Sequence, residues 1–169
     1  MTDSSRRAVV TLPSDSEILI RREFDAPKSL VYRAWTTPDL IKRWWAGDRG
    51  TMTLVEVDLR VGGKWRYVMM ANQGFELAFH GQYREIVREE RIVTNAVFEM
   101  PGAQAIPDDQ APVNNTSFVE TDGRTVLTIL TQTGSKDMRD GIIASGMEDG
   151  MQEQMEHIDN LIASQAMHI

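Results

Sequence analysis

Between residues 51 and 133 the chain alternates apolar and polar side chains in short runs separated by turn-forming clusters, and this pattern leaves few folds open. The breaks fall at Gly62-Gly63, Asn72-Gln73-Gly74, Arg88-Glu89-Glu90, the proline-rich segment 101–112 and Asp122-Gly123. Runs this short, joined by turns rather than by helices, describe an antiparallel meander. Successive side chains of a strand point to opposite faces, so parity assigns them. In the run FELAFHGQY (75–83), Phe75, Leu77, Phe79, Gly81 and Tyr83 share one face, and Glu76, Ala78, His80 and Gln82 share the other. The same rule turns Trp65, Tyr67 and Met69 inward with Arg66 outward, and Val55 and Val57 inward with Glu56 and Asp58 outward. Runs near 91–99, 115–121 and 124–133 carry apolar residues on both parities and are less decisive.

On either side of the meander the period changes. Ile18, Ile20 and Phe24 give EILIRREF a strand pattern with Arg22 as an interruption. After Pro27, Leu30, Val31, Ala34 and Trp35 recur at helical spacing, and Pro38 opens a second short helix through Leu40, Ile41, Trp44 and Trp45. From 136 to 164, Ile143, Met147, Met151, Met155, Ile158 and Leu161 recur at steps of three and four, predicting one long amphipathic helix. Its apolar stripe needs a cover, and the inward face of the sheet is the apolar surface left for it. The expectation is an α+β helix-grip architecture: a curved antiparallel sheet wrapped around a long C-terminal helix, with two short helices after the first strand. Residues 1–14 are expected to be a loose N-terminal arm, free to lie along a sheet edge, and 15–169 a single domain.

A length of 169 residues supplies one sizeable core. The absence of cysteine excludes disulfides, thiolate metal sites and a cysteine nucleophile, and suits a reducing cytoplasm. No run approaches a membrane span or a signal peptide. The net charge of −7, with arginines scattered among acids, argues against a nucleic-acid partner. His80, His157 and His168 lack the paired spacing of metal ligands, and no phosphate loop, nucleophile elbow or dinucleotide fingerprint is present, so no metal, cofactor or catalytic set is assigned.

The inward face is the candidate site. Trp35, Trp44, Trp65, Tyr67, Phe79 and Tyr83 would line a mostly apolar space with a few polar tips, floored by Val55, Val57 and Met69. From the helix side come Met147, Gly150, Met151, Gln154 and Met155. Tyr67 and Tyr83 are candidate hydrogen-bond donors, joined by Gln132 or Asn95. Gly146 and Gly150 each cost a helix about 1 kcal/mol relative to alanine. Two readings stand: the missing side chains leave room for a ligand beside adaptable methionines, or they mark a bend or a close approach. Gly81 in its strand either permits curvature or opens space over the concave face.

The chain resembles the bacterial branch of the family named after the activator of the heat-shock-protein-90 ATPase, within the START-like (SRPBCC) superfamily. The resemblance runs through Arg22-Glu23-Phe24-Asp25-Ala26-Pro27, Ala34-Trp35-Thr36 with Pro38, Trp44-Trp45, Asp58-Leu59-Arg60-Val61-Gly62-Gly63, Gly81-Gln82-Tyr83-Arg84-Glu85-Ile86, and Gly146-Met147 with Gly150-Met151. It implies the helix-grip fold and an internal cavity, but no single chemistry, because the superfamily holds lipid and sterol carriers, polyketide cyclases, hormone receptors and co-chaperone domains. Ala46-Gly47-Asp48 stands where the family pattern has a glycine-proline pair, which leaves the loop at the cavity mouth open. The founding co-chaperone has a further N-terminal domain for which this chain has no room. Three functions follow as expectations. The first is a carrier, sensor or sequestering module for a small hydrophobic or amphipathic molecule. The second is a cyclase, dehydratase or hydrolase acting on a polyketide-like substrate. The third is a stress-related protein-interaction module, with a homodimer or a chaperone as partner. The segment 101–112 is expected to be a lid or a mobile loop.

Overall fold

The computed structural model describes residues 7–99 and 107–164. The chain runs through β1 (Val9–Thr11), β2 (Glu17–Phe24), α1 (Lys28–Thr36), α2 (Pro38–Trp44), β3 (Gly50–Val57), β4 (Lys64–Ala71), β5 (Glu76–Val87), β6 (Arg91–Asn95) and β7 (Val97–Glu99). A 3-10 turn at Asp108–Gln110 leads to β8 (Val113–Thr121), β9 (Arg124–Gln132), α3 (Lys136–Ala144) and α4 (Met147–Ala163). The strands form one antiparallel sheet in the order β1-β2-β9-β8-β6-β5-β4-β3, with β7 also pairing with β5. Its register breaks between Met52 and Leu54 and between Tyr83 and Glu85, the irregularities that let a sheet curl. The result is the START-like helix grip, with α1, α2 and α4 against the concave face.

The inner face follows from pairing. Arg22 sits opposite Leu127 and Leu127 opposite Phe118, while Trp65 faces Gly81 and Tyr67 faces Phe79. The core that these residues make with Val31, Ile41, Trp44, Met151, Met155 and Ile158 is continuous. The amphipathic face of α4 reads as the spacing predicts, with Met151, Met155, Ile158 and Leu161 all buried.

Two expectations change. The single helix over 136–164 is two helices, because Gly146 adopts φ +85°, a left-handed conformation that ends α3 and that a side chain strongly disfavours. Hydrophobic steps of four continue across this break, so periodicity alone does not reveal it. The N-terminal arm is tied down over part of its length: Val9–Thr11 pairs with Leu19–Arg21, and the Ala8 N–H and C=O bond the side-chain amide of Gln152 at 3.0 and 2.8 Å. The arm is therefore not loose over residues 8–11, and residues 1–6 lie outside the described residues. Part of the expected lid, 101–106, also lies outside them. Its remainder, 107–112, is held by bonds from Asn95 Nδ2 to the Asp108 carbonyl (3.3 Å) and from the Ala96 N–H to the Pro112 carbonyl (2.9 Å).

Gly146 and Gly141 should respond oppositely to alanine. Gly146→Ala strains a positive φ and should cost about 1–2 kcal/mol, whereas Gly141→Ala, in α3 with open space around the new methyl, should gain about 0.5–1 kcal/mol. Urea unfolding of the two variants checks the signs.

Candidate functional site

α4 is fastened over the inner face by its polar residues. Arg22, almost fully buried within β2, directs its guanidinium to both carboxylate oxygens of Asp159 on α4, with the Nη1 to Oδ1 contact at 3.2 Å. The same guanidinium lies 4.7 Å from the Phe24 ring centroid and donates to the Glu23 carbonyl. Arg22 Nε has no partner among the described residues. Two turns away toward the start of α4, Gln152 holds the Ala8 backbone. On the residues that follow, Gln154 Nε2 donates to the Trp45 carbonyl at 2.6 Å, and Glu153 accepts from the Asp48 N–H and from Arg49. His157 contacts Asp48 at 2.9 Å. The loop whose conformation the sequence leaves open is thus pinned to α4, and Gly47 adopts φ +57° with its missing side chain beside Glu153.

This fastening sets the aromatic residues in one connected chain. Trp35 and Trp44 have centroids 4.7 Å apart, Trp44 and Trp45 5.5 Å, Trp45 and Tyr67 4.8 Å, and Tyr67 and Trp65 4.6 Å. A branch runs outward from Trp45 to Phe79 (5.8 Å) and on to Phe98 (5.0 Å), which is 43% exposed. Trp35 also meets Phe118, which meets Tyr32. The chain therefore extends from the buried core to the surface.

Most of the residues named from the sequence meet here. Trp35, Trp44, Val55, Val57, Trp65, Tyr67, Phe79, Tyr83, Met147, Met151 and Met155 belong to the core or pack on it, and Gln154 anchors the adjoining loop. Three are placed differently. Met69 is buried at the far end of β4, close to Gly50 and apart from the main cluster. Gly150 faces the Arg49 side chain, 3.6 Å from where a Cβ would stand, so its missing side chain opens no space between helix and sheet. At Gly81 a Cβ would collide with the Asn95 carbonyl and the Trp65 indole, so the gap is already taken by Trp65, whose Nε1 donates to Thr94 Oγ1 at 2.8 Å. Asn95 and Gln132 are likewise structural, accepting from the Gln82 N–H and bonding Glu17 respectively. The hydrogen-bonded pair Thr131 and Asn114, at 2.7 Å, occupies the inner parity instead. Tyr32, Phe98 and the Arg22–Asp159 pair were not foreseen; Tyr32 was legible, standing three residues before Trp35 on one helix face.

The polar chemistry of the inner face is neutral. Burial raises Tyr67 well above the ordinary phenol value, and burial first, then the nearby Tyr32, raises Tyr83. Both stay protonated and act as hydrogen-bond donors, not bases. The buried charged side chains among the described residues are Arg22 and Arg139, and both are occupied, Arg139 by Asp140 and the Ser14 carbonyl.

Ionisable groups gather on the outer face, around an open hollow of about 540 Å³ lined by Glu56, Asp58, Lys64, Arg66, His80 and Glu99. One Glu99 oxygen receives both His80 Nδ1 (2.7 Å) and Arg66 Nη1 (2.6 Å). Burial alone would raise Glu99, but the His80 hydrogen bond and the Arg66 charge outweigh it and hold the carboxyl below its usual range. The hollow is lined by no serine, threonine or cysteine. Among the described residues no His, Asp or Glu group is arranged to hold a metal ion, and no helix is long and apolar enough to cross a membrane.

Asp159→Ala would strand a buried guanidinium and should cost about 3 kcal/mol in urea unfolding, while the paired replacement Arg22→Met with Asp159→Leu should recover most of that loss.

Among curated proteins none matches the chain. Solved structures give its fold: a Mycobacterium smegmatis protein superposes with a TM-score of 0.82 at 21% identity, covering 94% of this chain and 99% of its own. An Arthrobacter aurescens protein gives 0.82 at 24% identity, covering 92% and 91%, and a Chromobacterium violaceum protein 0.71 at 25%, covering 86% and 96%. A family model described as Activator of Hsp90 ATPase homolog 1-like protein matches residues 25–163. With that match spanning both short helices, the meander and α4, the chain belongs to the Activator of Hsp90 ATPase homolog 1-like family.

Proposed function

We propose that the chain is a binding module that holds a small hydrophobic or amphipathic molecule between the concave face of the sheet and α4, as a carrier, sensor or sequestering protein. The observation that carries this reading is the aromatic chain from the buried Trp44 through the half-buried Trp45 and Phe79 to the exposed Phe98. A stepped aromatic surface with neutral polar tips is the usual lining of a site for apolar ligands. The adaptable side chains of Met147, Met151 and Met155 border it and let its shape follow an occupant. The hollow beside Glu56 and Arg66 and the hollow beside Tyr32 and Arg88 lie outside the grip, so an occupant takes its place by displacing these side chains rather than by filling either of them. Catalysis has less in its favour. The inner-face phenols are held protonated, and His80 and its carboxylate partners sit on the outer face. The lack of cysteine supports a cytoplasmic setting for such a role.

Native mass spectrometry of the purified protein, followed by denaturing extraction, tests the reading. A stoichiometric apolar adduct is expected, and Trp45→Ala, which cuts the aromatic chain at its branch, should lose it at least tenfold. An adduct retained in full by Trp45→Ala, or carried outside the grip, would overturn the proposal.

A further inference from the structure

Where α1 meets the β3–β4 and β5–β6 connections, an open hollow of about 460 Å³ lies outside the grip, with Leu59, Ile86 and Tyr32 in its wall. The segment that carries Leu59 is fixed in place: the Gly62 N–H donates to the Tyr83 carbonyl at 2.8 Å and the Tyr83 N–H to the Gly63 carbonyl at 2.9 Å. The ionised residues of the lining are Arg33, Arg88 and Glu89, two guanidiniums against one carboxylate. Arg88 has no ion pair among the described residues. The neighbouring cations do not add to this excess, since Lys28 faces Glu90 at 4.0 Å and Arg60 binds Asp58 at 2.9 Å. A local surplus of positive charge thus stands in a chain whose net charge is −7. Hydroxyls complete the lining. Thr36 directs its own to the Tyr32 carbonyl at 2.8 Å, whereas Thr37, at the N-cap of α2, makes no side-chain capping bond and keeps its hydroxyl for another acceptor, beside the exposed Ser29.

We infer that this hollow is a binding site of its own, separate from the grip, for a small amphipathic monoanion: an organic acid whose carboxylate is taken by Arg33 and Arg88 and whose short apolar body rests on Leu59 and Ile86. The inference does not depend on the grip holding a molecule. Three observations select the class. A guanidinium offers a planar fork of donors that matches a carboxylate, and Arg88 is not engaged by a carboxylate of the protein itself. The surplus of a single positive charge is balanced by one negative charge, which fits a carboxylate better than a dianionic phosphate ester. Leu59, 39% exposed, and the half-buried Ile86 present apolar surface that a purely polar ion would leave in water. The hydroxyls act in the same sense. Burial outweighs the opposing charge of Arg88 and holds the Tyr32 phenol above its ordinary value, so it meets an anion as a proton donor. The volume is that of a site for a small molecule.

Equilibrium dialysis at neutral pH and low salt with cyclohexaneacetate, 2-cyclohexylethanol and acetate tests the inference, since the first shares its body with the second and its head with the third. Cyclohexaneacetate should bind at least about fivefold tighter than either, and added salt should weaken it while leaving the alcohol unchanged. Arg88→Met, at an exposed position, should bring the acid within about twofold of the alcohol, and Leu59→Ser should weaken cyclohexaneacetate but not acetate. Trp45→Ala, a change inside the grip, should alter none of these values. In the nitrogen-15 spectrum the amides of Leu59 and Arg88 should shift saturably with the acid while the Trp45 and Trp65 indoles stay still. Equal binding of acid and alcohol, a preference for the acid that survives Arg88→Met, or no saturable binding of the acid would overturn the inference and leave the grip reading standing. Binding of the acid that moves the indoles and is lost in Trp45→Ala would overturn it in favour of the grip.

Discussion

A guanidinium placed in the middle of a β-strand and turned toward the core has to find a counter-charge, and here it finds one on the last helix. Arg22 is 3% exposed, and Asp159 lies 137 positions away in sequence. Breaking such a pair leaves a charge where water cannot reach it, which makes the position of α4 over the sheet specific as well as stable. Gln152 against Ala8, Gln154 against the Trp45 carbonyl and Glu153 against Asp48 extend the same fastening along the helix. The polar residues of α4 thus set its position, while Met151, Met155 and Ile158 fill the space beneath it.

Two consequences follow for the site. Holding Trp45 through its carbonyl leaves its ring free to bridge Trp44, Tyr67 and Phe79, so one residue joins the buried and exposed parts of the aromatic chain. The glycines, by contrast, contribute no open room. Gly81 makes way for the Trp65 indole, Gly150 faces the Arg49 side chain at ordinary contact distance, and Gly146 provides the turn that ends α3. Room for an occupant therefore depends on movable side chains, and the broken helix with its methionines is the adaptable wall.

What could be read from the sequence was what strand and helix periods encode locally. Parity alone put Trp65, Tyr67, Phe79 and Tyr83 on the inner face, and steps of three and four put Met151, Met155 and Ile158 beneath α4. Arg22 read as an interruption because its partner is on another element, and nothing local in β2 announces it. Phe98 was hidden because both parities of the 91–99 run are apolar, and β7 pairs with β5 at positions the pattern does not give. The helix break was hidden because Ile143 and Met147 remain four apart across it, while only the φ of Gly146 distinguishes a kinked pair from a continuous helix. The glycine pattern was visible, but whether a missing side chain leaves space depends on which distant side chain fills it.

The most direct test of the inner face as the binding site is the nitrogen-15 spectrum of the four tryptophan indoles, recorded while the molecule recovered from the purified protein is added back to the emptied chain. The account predicts that the Trp45 and Trp65 indole signals shift saturably, with the amides of Arg66 and His80 on the outer face unmoved. Shifts confined to Arg66 and His80, with the indoles still, would contradict it and move the site to the opposite side of the sheet.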